Sequence, residues 1–187
     1  MGKINEVPGK VSFGRAFKDF FIGYIDFKGR TTRAGYWWMT LILTILSFIP
    51  IIFFVYLAIG SAMSISGGAN ESDMFTSILG SFIIPLIIMV IAWLALFLPS
   101  LAMAVRRYRD AGLRGRGFLV LWVISIASSY TEATSALQHN NGSALFTFLA
   151  YAIGLLLFVL TVLPTNAIAT KSNNDFIRFF LREKEEL

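Results

Sequence analysis

Lysine and arginine are confined to three segments of this chain, and long apolar runs separate those segments. Seven of these bases precede Tyr36, five lie within 106–116 and four follow Pro164, which accounts for all 16. Only 14% of the residues are charged, against about 25% in soluble domains, and the mean hydropathy is +0.70. Apolar runs of this length are typical of membrane-spanning helices and not of the core of a soluble protein. The pattern therefore predicts an all-α integral membrane protein.

The apolar runs predict four membrane-spanning helices that pack as a four-helix bundle. A helix needs roughly 20 residues to cross the bilayer core, and the third run meets this length least easily. Its strongly apolar part covers only 118–127, so 128–137 must continue the helix, which places Glu132 near the outer end. The predicted spans lie at about 36–59, 78–105, 118–137 and 144–163.

The distribution of bases also predicts the orientation of these spans. Basic residues are retained on the cytoplasmic side of membrane proteins. Both termini and the arginine-rich loop at 106–116 are therefore expected in the cytoplasm. The connections at 61–76 and 138–143 contain no lysine or arginine and are expected on the outer side. An even number of spans follows from this arrangement, and the protein is predicted to be multi-pass.

Short amphipathic helices are expected to flank a single membrane domain that covers 12–187. Residues 1–11 are polar and are expected to form a loose tail. Between 13 and 28, aromatic residues recur every three or four positions, which places them on one face of a helix. Such a helix lies in the headgroup plane, packs its aromatic face on the spans, or does both. A second interfacial helix is predicted at 174–184.

Three consecutive aromatic residues open the first predicted span. Tyr36, Trp37 and Trp38 follow directly after Arg30 and Arg33. Tryptophan and tyrosine favour the headgroup level, where their rings meet apolar chains and their polar atoms meet water. They are therefore predicted to be interface anchors on the cytoplasmic side.

The arginines on this side are the candidate binding residues. Guanidinium groups hold phosphate or carboxylate through two parallel hydrogen bonds, which lysine cannot reproduce. One hypothesis is a cluster that contacts an anionic lipid headgroup or an acidic partner segment, with Asp110 and Asp26 bridging the arginines. The alternative is that these charges only set the topology and are paired locally. The candidates are Arg30, Arg33, Arg106, Arg107, Arg109 and Asp110.

Several classes of function lack the residues they require. The chain has no cysteine and one histidine, His139, which lies in a predicted loop. No metal site, cofactor site or nucleophile–base pair is therefore predicted, and we expect no enzymatic activity. The bases flank apolar runs, so anionic lipid is a better counterpart for them than nucleic acid. The preferred hypothesis is a non-enzymatic interaction or scaffold protein.

A small channel or transporter is the alternative hypothesis. Transporters usually place ionisable groups at mid-membrane, and Glu132 is the only such residue within a predicted span. A lipid-modifying enzyme is a third hypothesis, for which no nucleophile or metal site is visible. Ala150 and Gly154 form a small-x-x-x-small step that favours close helix contact, within the bundle or in a homo-oligomer.

Residues 27–38 read F-x-G-R-x-x-R-x-x-Y-W-W, and 98–112 contain L-P-x-L-A followed by R-R-Y-R-D-x-G. These two motifs resemble those of the bacterial inner-membrane family called domain of unknown function 805, whose second pattern is L-P-x-L-A…R-R-L-H-D-x-G. Two departures are visible: Arg109 stands where the family usually has histidine, and 115–118 replaces its Ser-Gly-Trp-Trp. The resemblance implies a helical protein of the bacterial cytoplasmic membrane and no established activity.

Overall fold

The computed structural model describes residues 4–66, 71–137 and 144–184, and they are largely helical. Side chains within 64–78 and at 136 are not described. The whole of the predicted outer loop at 138–143, His139 included, and the centre of the loop at 61–76 lie outside the described residues. The helices are α1 (Phe13–Ile22), α2 (Arg33–Ser66), α3 (Glu71–Ala111), α4 (Gly115–Leu137), α5 (Ala144–Val162) and α6 (Asp175–Phe180).

Three of these helices are long and apolar enough to cross a membrane, which supports the prediction of a membrane protein. The qualifying stretches are Arg33–Met63, Leu79–Ala111 and Ala144–Val162. A fourth helix, α4, forms where the third span is predicted and packs along α5. Its C-terminal half is rich in serine and threonine and contains Glu132, which separates it in composition from the other three.

Helices α2 and α3 are longer than the spans predicted at 36–59 and 78–105. Pro50, Pro85 and Pro99 lie inside these helices without ending them. A proline removes one backbone donor from the helix, but neighbouring helices and side chains in a membrane domain compensate for it. Proline is therefore a poor guide to the ends of these particular helices.

The arginine-rich segment is mostly helical and not a loop, which corrects the prediction for 106–116. Helix α3 continues through Arg106–Asp110, and Gly112 ends it with φ of +118°. The Leu113 amide donates to the Tyr108 carbonyl at 2.9 Å, a closing bond typical of a glycine-terminated helix. A Cβ at Gly112 would lie 2.6 Å from the Ala169 amide nitrogen, so the turn also requires glycine for space.

The start of α2, the end of α3, the start of α4 and the end of α5 meet at one end of the molecule. We call the segments 4–32, 106–117 and 161–184 the polar end. Backbone hydrogen bonds join these segments: Arg30 N to Ile4 O at 2.8 Å, Ile168 N to Ala111 O at 3.0 Å, and Arg114 N to Phe180 O at 2.7 Å. The clusters of buried apolar side chains also lie at or near this end.

The N-terminal segment from Ile4 onward is more ordered, and the flanking helices are shorter, than the sequence predicts. Ile4 and Glu6 are buried, and the Glu6 amide donates to Arg30 O at 3.2 Å, so this part of the tail is not loose. α1 stops at Ile22 and α6 at Phe180, short of the predicted 28 and 184. Asn174 caps α6 by accepting a hydrogen bond from the Phe176 amide at 2.9 Å.

The aromatic face of α1 is divided between the protein and its surroundings. Phe20 is buried against Met39 of α2 and Met103 of α3. Phe13 and Phe17 are about half exposed. One part of this face therefore attaches α1 to the spans, and the other part is left facing outward.

Candidate functional site

Arg107 is the most deeply buried of the candidate arginines, with an exposed fraction of 0%. Its Nη1 atom lies 2.7 Å from Asp110 Oδ2. Its Nε atom donates to the Thr161 carbonyl at 3.1 Å, and its Nη2 atom donates to the Leu163 carbonyl. The last carbonyls of a helix lack intrahelical donors, and α5 ends at Val162. Arg107 therefore caps α5 and ties it to α3.

Asp110 joins Arg107 to the segment that follows α5. The carboxylate accepts a second hydrogen bond from Thr165 Oγ1 at 2.9 Å. The Asp110 carbonyl accepts one from the Asn166 amide at 2.7 Å. Arg30 Nη2 donates to Asn166 Oδ1 at 2.9 Å. The predicted pairing of Asp110 with an arginine is confirmed for Arg107, and Arg30 meets the same cluster through Asn166.

Arg106 caps the C-terminus of α1, as Arg107 caps that of α5. It is 1% exposed, and its Nη1 atom donates to the carbonyl of Gly23, the C-cap of α1, at 2.9 Å. Gly29 is packed against both Arg106 and Asp26, since a Cβ there would lie about 3 Å from an atom of each side chain. Asp26 accepts from the Ile4 amide at 2.9 Å. Arg106 and Asp26 thus hold the N-terminal segment on α3.

The other candidate residues lie nearer the surface. Arg33 is exposed at the start of α2. Arg109 is partly buried, and its Nη1 atom donates to the Phe27 carbonyl at 3.0 Å. The structure therefore buries Arg106, Arg107 and Asp110, leaves Arg30 and Arg109 partly buried, and leaves Arg33 exposed.

The predicted interface anchors lie at the start of α2. Tyr36 is partly buried, whereas Trp37 and Trp38 are about 40% exposed. The Trp37 Nε1 atom donates to the Thr161 carbonyl at 3.3 Å, which also accepts from Arg107. Trp37 thus combines an exposed ring with a position beside the buried charges, whereas the Trp38 ring packs on Phe13.

Glu6 is a buried charged residue that the sequence analysis missed. Its Oε2 atom accepts from both the amide and the hydroxyl of Thr32 at 2.8 Å, and the Gly35 amide donates to Thr32 Oγ1 at 3.3 Å. Thr32 thus caps α2, and a carboxylate at a helix N-terminus is favourable. Burial raises the pKa of Glu6, and the hydrogen bonds from Thr32 oppose that rise.

The stability of the polar end is expected to depend on pH through Glu6. Because its pKa in the folded protein is raised above the ordinary 4.5, the folded state binds this proton more tightly than the unfolded state. That stabilisation is fully present below pH 4.5 and is lost as the pH rises through the raised pKa. The Glu6→Gln variant has no titratable group at this position, so its stability lacks this pH-dependent contribution.

Thermal unfolding of wild type and Glu6→Gln in detergent, from acid to neutral pH, measures this effect. The difference in Tm between wild type and Glu6→Gln should change as the pH rises above 4.5. Glu183→Gln, at an exposed carboxylate, is the matched control for replacing one glutamate with glutamine. A constant difference between wild type and Glu6→Gln at all pH values would contradict the assignment.

The small residues predicted to favour close helix contact have a partial structural outcome. A Cβ at Gly154 meets nothing within 4 Å, so Gly154 makes no close helix contact within the described chain. Among the described residues, no three His, Cys, Asp or Glu side chains come together in one group.

Comparison with known proteins identifies one family. The profile described as "Protein of unknown function (DUF805)" matches residues 24–176, which include both motifs that carry the resemblance. No curated protein and no solved structure matches the chain.

Proposed function

This chain belongs to the DUF805 family, and we propose that it is a non-enzymatic membrane interaction protein whose polar end contacts anionic lipid headgroups. The observation that carries the proposal is the division of the arginines. Arg106 and Arg107 are buried and bound to carbonyls and Asp110, so they stabilise the fold. Exposed bases of the polar end, among them Lys18, Lys28 and Arg116, are placed to meet an external anion.

The proposed arrangement has four spans, with α4 as the third and the polar end in the cytoplasm of a bacterial cell. At about 1.5 Å per residue, a helix of the length of α4 extends roughly 35 Å, which exceeds the bilayer core of about 30 Å. All three basic segments of the sequence meet at the polar end. Retention of bases in the cytoplasm then gives this orientation.

The flanking helices α1 and α6 are proposed to lie at the cytoplasmic interface. Phe17 and Phe21 of α1 are nearly half exposed, and Phe176 of α6 is 74% exposed. Lys18 and Arg178 lie on the same two helices. Exposed aromatic rings beside basic side chains suit the boundary between headgroups and acyl chains.

Energy transfer from tryptophan to dansyl-labelled lipid in nanodiscs tests the lipid contact. Trp37 and Trp38 lie in the first turns of α2, next to the polar end, so anionic labelled lipid should quench tryptophan emission more than zwitterionic labelled lipid does. Each base near the surface contributes about 1 kcal/mol, or roughly five-fold in local lipid concentration. The preference should weaken as salt is raised. Equal transfer to both lipids at low salt would contradict the proposal.

Lys18 and Lys28 provide the matching substitutions, because both are exposed in the structure. Lys18→Gln with Lys28→Gln removes two charges without disturbing the buried cluster. The variant should show a reduced preference for anionic lipid, with an unchanged Tm. An unchanged preference would show that surface charge at this end does not select lipid.

A further inference from the structure

A basic cleft opens on the surface of the polar end, between the α3–α4 turn and the C-terminal tail. Its volume is about 350 Å³. Four of its five lining residues are arginines, and the fifth is a glycine. They are Arg109, Arg114, Gly115, Arg116 and Arg182. The cleft is separate from the buried cluster of Arg106 and Arg107.

The tail is held firmly against the turn, which fixes the two walls of the cleft. The Arg114 amide donates to Phe180 O at 2.7 Å, and the Arg182 amide donates to Gly112 O at 2.7 Å. Arg182 Nη1 donates to the Arg109 carbonyl at 3.2 Å. A Cβ at Gly117 would lie 3.0 Å from Phe180 O, so glycine permits this close approach. The arginines are thus placed by backbone contacts that do not depend on a ligand.

The guanidinium groups of Arg114 and Arg116 are available to an external anion. Within the described part of the chain, neither forms a hydrogen bond or an ion pair; Arg116 lies over the ring of Phe179 at 5.1 Å. Glu183, on the adjoining stretch of tail, is already paired with Arg178 at 3.0 Å. Like charges held together repel, and an anion relieves that repulsion. The N-terminus of α4, at Gly115, adds positive potential from its dipole.

We propose that this cleft binds the phosphate group of a membrane phospholipid headgroup, an inference that rests on the lipid contact proposed above. Phosphate accepts two parallel hydrogen bonds from one guanidinium, and several arginines around one space suit its charge and geometry. The neighbouring side chains favour a lipid as the source of the phosphate. Leu119 lies one helical turn after Arg116 on α4, and Phe179 lies under the Arg116 guanidinium. Both are exposed and provide an apolar surface for acyl chains beside the cleft.

Native mass spectrometry of the full chain released from nanodiscs tests the cleft. The nanodiscs contain phosphatidylcholine with either phosphatidate or oleate, an anionic lipid without phosphate. Wild type should retain phosphatidate at least ten-fold better than oleate. Arg114→Gln with Arg116→Gln should remove most of that preference, whereas Lys18→Gln with Lys28→Gln, equal in charge, should reduce retention of both anions similarly and keep the preference.

Two further experiments test the role of guanidinium geometry and the source of the phosphate. Arg114→Lys with Arg116→Lys keeps the charge and should still lose several-fold of the phosphatidate preference; full retention would overturn recognition by guanidinium geometry. Soluble glycerol phosphate should not displace phosphatidate at millimolar concentration, and displacement would overturn the lipid as the source. Unchanged Tm values for these surface variants show that folding is not the cause.

The same measurements distinguish a wrong assignment of the cleft from a wrong proposed function. The Arg114→Gln/Arg116→Gln variant and the Lys18→Gln/Lys28→Gln variant could reduce the retention of both anions to the same extent. The contact would then be a diffuse charge effect, and the cleft proposal would fail while the proposed function stands. If wild type shows no preference for anionic lipid, both fail.

Discussion

Replacing Arg107 with alanine is expected to destabilise the protein by about 3–5 kcal/mol, the usual effect of removing one partner of a buried ion pair. Asp110 is 1% exposed and would lose its cationic partner. The carbonyls of Thr161 and Leu163 would lose their donor at the same time. For a chain of this size, the loss corresponds to a fall in Tm of roughly 6–20 °C.

Thermal unfolding in detergent, followed by tryptophan fluorescence, measures this effect. Arg33→Ala is the matched control because Arg33 is exposed at the same end, and it should leave Tm within about 2 °C of wild type. The double variant Arg107→Met with Asp110→Leu removes both buried charges and should recover part of the loss. If Arg107→Ala and Arg33→Ala have the same Tm, the structural role of the Arg107–Asp110 ion pair is refuted.

Replacing Gly23 with alanine is the second large expected effect. The backbone there is ordinary, with φ of −85°, so strain is not the reason. The added Cβ would lie 1.6 Å from Arg106 Nη1 and 2.9 Å from the Asp19 carbonyl. The guanidinium must move and give up its bond to Gly23 O. Since hydrogen bonds to charged groups contribute about 1.5–3 kcal/mol, we expect a loss of that size.

Hydrogen exchange of the α1 amides, measured together with Tm, reports this loss. Gly14 is the matched control within the same helix, because a Cβ there meets nothing within 4 Å. Gly14→Ala should preserve or raise the protection of α1, since alanine favours the helix. Gly23→Ala should lower both protection and Tm. Equal exchange in the two variants would show that Arg106 does not hold α1 in place.

Much of the helical framework was predictable, because it follows from local composition. Each predicted span overlaps a helix, and the largest error concerns the end of α3. The apolar pattern stops at Val105, but the helix continues because Arg106 and Arg107 find partners on α1 and α5. Those partners are distant in sequence. Gly112 was the available local signal for the true helix end.

The candidate site was predictable only where its contacts are local. Arg107 and Asp110 are three residues apart on one helix, so their pairing follows from helical spacing. Arg106 meets Gly23 across 83 positions, and Thr32 meets Glu6 across 26. Such contacts depend on how α1 and the N-terminal segment fold back onto the spans. The division of the arginines into buried and surface groups therefore required the structure.

Nuclear magnetic resonance of the arginine side chains in nanodiscs tests that division most directly. In protein labelled with ¹⁵N at arginine, the Nε–H signals of Arg106 and Arg107 should be protected from exchange and unchanged when phosphatidate is added. Signals of Arg114 and Arg116 should exchange quickly and shift with phosphatidate. Shifts at Arg106 and Arg107, with none at Arg114 and Arg116, would contradict the account.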